Sequence, residues 1–324
     1  MPTVRGLSQE RIVLAIAVAL FVIFAVALPG FINPGNLLSL VQNVSILGIL
    51  GVGMAIAIIG RGIDLSMLST MPVSVAWMLN LINGGMPIWL AVLCALAFVI
   101  AVGIVNGVLI AYVEVPAIFA TLAMGIVVYG FGKGVLVPID AVYIGRGESW
   151  FYKIGSGQIL GIPTPVIVFA AVAASAYLFL RYLKLGRFIY GMGDNPLAAR
   201  VTGVPVRPMI VLQYVLISVI ALIAGIVMAT ALAGMNTRLA LSTMVYDVIL
   251  VVVLGGIGLS GGKGGIRNVV VGTLLIGILL NGMTIMNLTY TMQSILKSVI
   301  LLAAIVVDTL LNPRDEQTAQ HGDI

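Results

Sequence analysis

Four carboxylates stand in or beside long apolar stretches: Asp64, Glu114, Asp247 and Asp308. A carboxylate at the centre of a lipid-spanning helix costs roughly 2.5–3.5 kcal/mol on insertion scales, so each needs a partner or a task. Asp64 follows Arg61 by three residues, which suits local pairing. Glu114 and Asp308 fall near the ends of apolar runs and can reach an interface. Asp247, in LSTMVYDVILVVVLGG, is the most deeply placed. It fits a polar position on a solute path, a contact between subunits, or a hydrogen-bonded structural carboxylate. Asn106 and Asn281 each precede a glycine inside an apolar run. Amides there either line a path for a hydroxyl-bearing solute or bond one helix to another. With Ser66 of the GIDLS stretch (62–66), the candidate path residues are Asp64, Ser66, Asn106, Asp247 and Asn281.

Other chemistries find little support. The one histidine, His321, lies in the polar tail, and the one cysteine, Cys94, sits in the apolar run WLAVLCALAFVI. Histidine-based catalysis, metal binding and an internal disulfide are therefore not expected. Gly256, Gly258 and Gly261 satisfy G-x-G-x-x-G, but no acid occurs between Asp247 and Asp308, so the dinucleotide reading fails. Gly262-Lys263 is followed by Gly264 instead of Ser or Thr, and Ile257 holds the place of the first Walker glycine. A tight glycine turn anchored by Lys263 and Arg267 explains this stretch, and no ATP site is expected on the chain. GIxLS recurs at 62–66 and 256–260 after apolar runs, a slight hint of internal repetition.

Residues 181–208, RYLKLGRFIYGMGDNPLAARVTGVPVRP, form a polar island between apolar runs. Arg181, Lys184, Arg187, Arg200 and Arg207 lie there. Asn195 can cap a helix, Pro196 suits its first position, and Gly203 can stop it. Two helical turns are unstable alone in water. The helix needs a surface to lie on, and its positive charge places it in the cytoplasm. It reads as the docking element of a membrane protein driven by a separate cytoplasmic engine.

The 324 residues are 61% hydrophobic and only 8% charged, with mean hydropathy +1.21. That excludes an ordinary soluble domain, which carries about 25% charge. With spans of about 20 residues, the apolar runs predict crossings at 11–29, 37–59, 67–83, 87–112, 116–137, 164–183, 209–233, 242–258, 268–288 and 298–311. The expected fold is a single all-α polytopic membrane domain over 1–324 with about ten transmembrane helices, some of them broken. The first run is expected to be a retained span, since it exceeds a signal-peptide core. With both termini cytoplasmic, eleven of the 16 basic residues fall inside and five outside (Lys133, Arg146, Lys153, Arg238 and Lys297). The reading includes a cytoplasmic coupling loop over 184–208, a periplasmic loop over 138–163 with an aromatic anchor, and a disordered tail over 313–324. The basic residues are spread over loops without aromatic interleaving, so membrane lipid, and no nucleic acid, is the expected surrounding.

Four stretches together carry a resemblance: GIDLS (62–66), VNGVLIAYVEVPAIFATLAMGIVVYG (105–130), LGRFIYGMGDNPLAARVTGV (185–204) and DVILVVVLGGIGLSGGKGG (247–265). The chain resembles the permease subunit of bacterial ribose-type ATP-binding-cassette importers, which serve monosaccharides and similar small polar solutes. The resemblance implies a multi-pass inner-membrane protein. It also implies a second permease subunit, identical or different, a cytoplasmic ATPase, and a periplasmic solute-binding protein. ATP and Mg would be bound by the ATPase, with no cofactor on this chain. Residues 193–203 would form the coupling helix, with Asp194, Asn195, Pro196, Leu197, Ala198, Ala199, Arg200 and Gly203 facing or shaping the ATPase groove. An arginine at Ala199 is expected to block that groove. Val245 and Ile257-Gly258 depart from the family pattern, at places where an acid and Thr-Ser are common. Branched-chain amino-acid permeases are relatives, but GIDLS is closer to the sugar branch. The rival reading is an ion-coupled secondary transporter using Asp64 or Asp247.

Overall fold

The computed structural model describes residues 9–145 and 149–311. Its helices in chain order are α1 (Gln9–Ala27), α2 (Pro34–Ile59), α3 (Met67–Asn83), α4 (Ile88–Ala111), α5 (Ala117–Phe131), α6 (Ser149–Ser156) and α7 (Thr164–Tyr182). They continue with α8 (Lys184–Asp194), α9 (Pro196–Val201), α10 (Val206–Ala231), α11 (Met244–Leu254), α12 (Ile266–Ile285) and α13 (Tyr290–Leu311). Four short strands, β1 (Ala141–Tyr143), β2 (Gln158–Ile159), β3 (Ile162–Pro163) and β4 (Gly234–Asn236), pair as β1–β4 and β2–β3, both antiparallel. The protein is thus an all-α polytopic bundle. Among the described residues, seven helices are long and apolar enough to cross a membrane: α1, α2, α4, α5 with its π-turn extension to Leu136, α7, α10 and α12. The runs expected at 67–83, 242–258 and 298–311 are also helical, as α3, α11 and α13.

Helix α2 is the axis of the bundle. Every residue from Val44 to Ile59 is buried, and α7, α10, α11 and α12 surround it. Glycines set how close these neighbours come: a Cβ at Gly51 would lie 3.0 Å from the Val251 side chain of α11. Helices α4 and α10 approach most intimately. Gly103 and Gly107, four residues apart, lie against the backbone of Val215 and Val211. Small residues at that spacing let two helix backbones meet where lipid supplies no hydrophobic drive between helices. The outer helices present a belt of exposed Ile, Val, Leu and Phe, from Ile16 on α1 to Phe119 and Ile126 on α5. Such a surface is stable only against lipid or another apolar chain.

Consecutive connections gather at opposite ends of the bundle. At one end, β1 pairs with β4, Asp140 takes Lys133 at 2.7 Å and Arg238 at 2.6 Å, and Asn83 donates to the Tyr143 carbonyl. The Lys133 ammonium holds the Asp140 carboxyl below the usual carboxylate range. The segment read as a loop over 138–163 is instead a folded cap in its described residues. Helix α6 buries Phe151 and leaves Trp150 exposed at its edge. Gly155 lies on the α10 backbone at Ala231. At the other end lie the connections 60–66, 112–116, 183–205 and 255–265. Arg207 reaches Glu114 there at 3.0 Å. Two placements from the sequence need correcting. Helix α13 begins at Tyr290, not 298, so Lys297 is a buried helical residue and no exterior anchor. Arg61 does not pair with Asp64, because its left-handed backbone (φ 65°) turns it outward while Asp64 is enclosed. The tail 313–324, Arg146 and Glu148 lie outside the described residues, as does the side chain of Asp308.

The α4–α10 contact generates a test. Gly107→Ala places a methyl about where Val211 Cα already sits, at 2.5 Å. We expect a loss of about 1–3 kcal/mol, the usual range for overpacking, read as a lower thermal midpoint of the purified protein. Gly130→Ala, whose Cβ meets nothing within 4 Å, should leave the midpoint unchanged or raise it.

Candidate coupling and translocation site

The polar island folds as two helices. Asn195 has extended backbone, and its Oδ1 accepts the Ala198 N–H at 3.0 Å. Pro196 occupies the first helical position, where a missing N–H costs nothing. At the far end Gly203 takes φ +86°, Val204 N–H donates to the Ala199 carbonyl, and Gly203 N–H to that of Arg200. That is a Schellman stop. The helix is therefore Pro196–Val201, shorter than the 193–203 expected. It stands out from the bundle with Leu197 50% and Val201 88% exposed, one turn apart on one face. Ala199 faces inward at 5% exposure. An arginine there would disrupt the chain's own packing before it blocked any groove, which corrects the expectation above. Helix α8 was not legible. Its glycines, Gly186, Gly191 and Gly193, argue against a helix, yet it buries Ile189 and Met192 while Lys184 and Arg187 stay exposed.

These glycines belong to a backbone junction. The Ile59 carbonyl, the last of α2, accepts the Gly262 N–H at 2.8 Å. A Cβ at Gly193 would lie 1.9 Å from that same oxygen, and one at Gly262 would lie 2.7 Å from Asp194 Cα. Gly261 lies against the Gly193 carbonyl and the Arg61 backbone. Tyr190 donates to the Gly264 carbonyl at 2.9 Å. Gly256, Gly261, Gly262 and Gly264 all have positive φ, which side chains disfavour. The glycine turn thus locks α8 and α9 to the end of α2. Helix α11 rises only about 16 Å, roughly half a bilayer core, so this loop completes its path. Non-helical backbone at such depth survives only when enclosed by protein, and Ile257 is fully buried.

Just past the junction the chain turns into α3 through Asp64 and Ser66, both fully buried. Asp64 Oδ1 accepts the Ser66 N–H at 2.9 Å and its Oγ–H at 2.6 Å. Asn106 of α4 donates to Ser66 Oγ at 2.8 Å. The Asp64 carboxylate therefore sits at the N-terminus of α3, where the helix dipole favours negative charge. Asp64 Oδ2 and Asn106 Oδ1 find no partner among the described residues. Tyr214 and Thr121 reach the adjacent Ile63 carbonyl from α10 and α5.

Comparison with known proteins places the chain. The family model described as branched-chain amino acid transport system / permease component matches residues 36–305. The chain belongs to this permease family. It is 32% identical over 312 residues to the ribose import permease protein of Escherichia coli (strain K12), covering 94% of this chain and 95% of the relative. It is 32% identical over 291 residues to the ribose import permease protein of Bacillus subtilis (strain 168), covering 89% of each. It is 30% identical over 297 residues to the L-arabinose transport system permease protein of Escherichia coli (strain K12), covering 91% and 89%. No solved structure matches. The resemblance to ribose-type permeases read from the four stretches agrees with these relatives.

In this permease the remaining candidates lie apart from the Asp64 cluster. Asp247 on α11 is ion-paired with Lys297 on α13, Nζ standing 2.8 Å from Oδ1 and 3.0 Å from Oδ2. Asn281 exchanges two amide hydrogen bonds with Asn36 of α2, at 2.9 and 3.0 Å, and Asn36 also donates to the Phe31 carbonyl. The structure therefore joins Asp64, Ser66 and Asn106 and separates Asp247 and Asn281. Sequence reasoning missed Lys297 and Asn36. Asking which cation neutralises a deep Asp247 would have pointed to Lys297, which immediately precedes the last apolar run.

Removing one member of a buried ion pair strands the other charge, at a cost of about 3–5 kcal/mol. Lys297→Met should therefore sharply lower the yield and thermal midpoint of the permease. Adding Asp247→Asn should restore most of both. No recovery in the double variant would mean that the pair does more than neutralise itself.

Proposed function

We propose that this permease is a transmembrane subunit of an ATP-binding-cassette importer for a monosaccharide or a similar small neutral polar solute. It crosses the bacterial inner membrane ten times with both termini cytoplasmic. A second permease subunit completes the path. A periplasmic binding protein delivers the solute to the capped end, and a cytoplasmic ATPase carrying ATP and Mg docks on α9. The sugar class rests on relatives named for ribose and L-arabinose transport.

The observation that carries the proposal is the outward apolar face of α9, Leu197 and Val201, on a helix that follows directly on α8, whose end meets α2 and the glycine turn through backbone contacts. A six-residue helix cannot hold itself together in water. This one is pre-formed by caps at both ends and displays apolar side chains that need a partner. A push on α9 moves α8, and the Gly193–Ile59–Gly262 junction passes it to the end of α2. The displacement then reaches the Asp64–Ser66–Asn106 link between the α2–α3 connection and α4. Packed helices of this kind respond as rigid bodies, which suits alternating access. The Asp247–Lys297 pair weighs against an ion-coupled rival at Asp247, since that carboxylate already holds a cation of the chain.

Val201→Asp tests docking without touching the core, because Val201 is almost fully exposed. Solute uptake and co-purification of the ATPase should fall at least tenfold, about 1.4 kcal/mol or more of lost docking. The thermal midpoint of the isolated permease should stay the same. Uptake at the parent rate, or uptake that follows an ion gradient and survives loss of the ATPase, would overturn the proposal.

A further inference from the structure

A second site lies at the same end of the bundle, in a cleft of about 290 Å³ lined by Glu10, Tyr177, Arg181, Tyr190 and residues 264–268. Its cations are unusual in their company. The Arg181 and Arg267 guanidinium carbons stand 5.5 and 5.6 Å from the centroid of one ring, that of Tyr177. Arg181 also donates to the Tyr177 hydroxyl. Neither arginine belongs to any ion pair found among the described residues. Glu10 lines the cleft without pairing to either and leaves one positive charge in excess. Two guanidiniums gathered beside one aromatic ring concentrate positive charge that an anion would offset. A planar fork of donors is the usual receptor for phosphate oxygens.

Position selects the anion. Arg181 is in the last turn of α7, Arg267 in the first turn of α12, and Glu10 in the first turn of α1. All three mark ends of apolar spans, the level of lipid headgroups. The walls that flank the cleft continue as lipid-facing surface, with Ile12 and Ile16 on α1 and Leu178 on α7 exposed. A headgroup phosphate held by the two arginines would leave its acyl chains to run along these walls. The α12 N-terminus beside Arg267 has no side-chain cap, and its dipole favours negative charge there. From this geometry we propose that the cleft binds the phosphodiester headgroup of an anionic glycerophospholipid, using Arg181 and Arg267 as the phosphate fork and Tyr177 as their platform. The site adds a lipid to the direct packing of α1 on α12 and needs only that the chain be membrane-embedded. It is independent of the transport reading.

The test is native mass spectrometry of the full-length, delipidated permease titrated with phosphatidylglycerol or with phosphatidylcholine of identical chains. The parent should retain one phosphatidylglycerol at concentrations where phosphatidylcholine does not bind. Each basic residue near a membrane surface contributes about a fivefold effect, so Arg181→Gln with Arg267→Gln should weaken retention about twenty-five-fold. Lys184→Gln, an exposed cation outside the cleft, should change nothing. If the double variant is not monodisperse, Arg267→Gln alone decides, with about a fivefold loss expected. Equal retention of both lipids, or undiminished phosphatidylglycerol binding by the Gln variants, overturns the proposal. So does an arginine-dependent site that inorganic phosphate fills equally tightly, since that would be a receptor for a soluble anion.

Discussion

The carbonyl of Ile59 is where the architecture turns. A helix leaves its last carbonyls without intrahelical donors, and in a protein surrounded by lipid such a group must find one inside the chain. Here the donor is the N–H of Gly262, from a loop distant in sequence. For that bond to form, the end of α8 and the glycine turn must approach α2 more closely than side chains there would permit. The glycines at 193, 261 and 262 follow from this requirement, as do the positive φ angles of the turn. The same closeness makes the exposed helix α9 mechanically continuous with the most buried helix of the bundle.

Other polar groups obey the same rule in different ways. Asp247 meets its cation, Asn281 meets a matching amide, and Asp140 sits between two basic residues at the opposite end. Those arrangements are paired: each group meets an opposite charge or a matching amide, and each ties two elements together. The Asp64–Ser66–Asn106 link differs because Asp64 Oδ2 and Asn106 Oδ1 meet neither a donor nor a cation among the described residues, whereas Asp247 Oδ1, also without a hydrogen bond, lies 2.8 Å from the Lys297 ammonium. Buried acceptors without donors are costly, and groups left so are more easily rearranged than closed pairs. That openness, a few residues beyond the junction, is why we assign the link to the moving part of the permease and the paired groups to its frame.

Much of this was legible in the chain. Hydropathy placed ten helical runs, and the cap, proline and stop glycine placed α9 because each acts locally. What was hidden depends on tertiary contact. Helix α8 is forced by packing of Ile189 and Met192 against α2 and its neighbours, over glycines that disfavour it. Lys297 looked like an interfacial anchor because its polar neighbours Thr289, Thr291 and Gln293 end the apolar pattern before the helix does. The role of Asn281 rested on which amide it would meet, 245 residues away. The inward direction of Ala199 could not be read from a six-residue helix, which has too few turns to reveal a face.

The central claim is that α9 drives α2 through contact between glycine backbones. The most direct measurement is ATP hydrolysis beside solute uptake in proteoliposomes holding the complete importer with Gly193→Ala in the permease. The added methyl must displace the Ile59 carbonyl while leaving the outer face of α9 free to dock. The account expects assembly and hydrolysis to persist while uptake per ATP collapses. Uptake per ATP equal to that of the parent would show that the junction is only a packing contact and that coupling runs elsewhere.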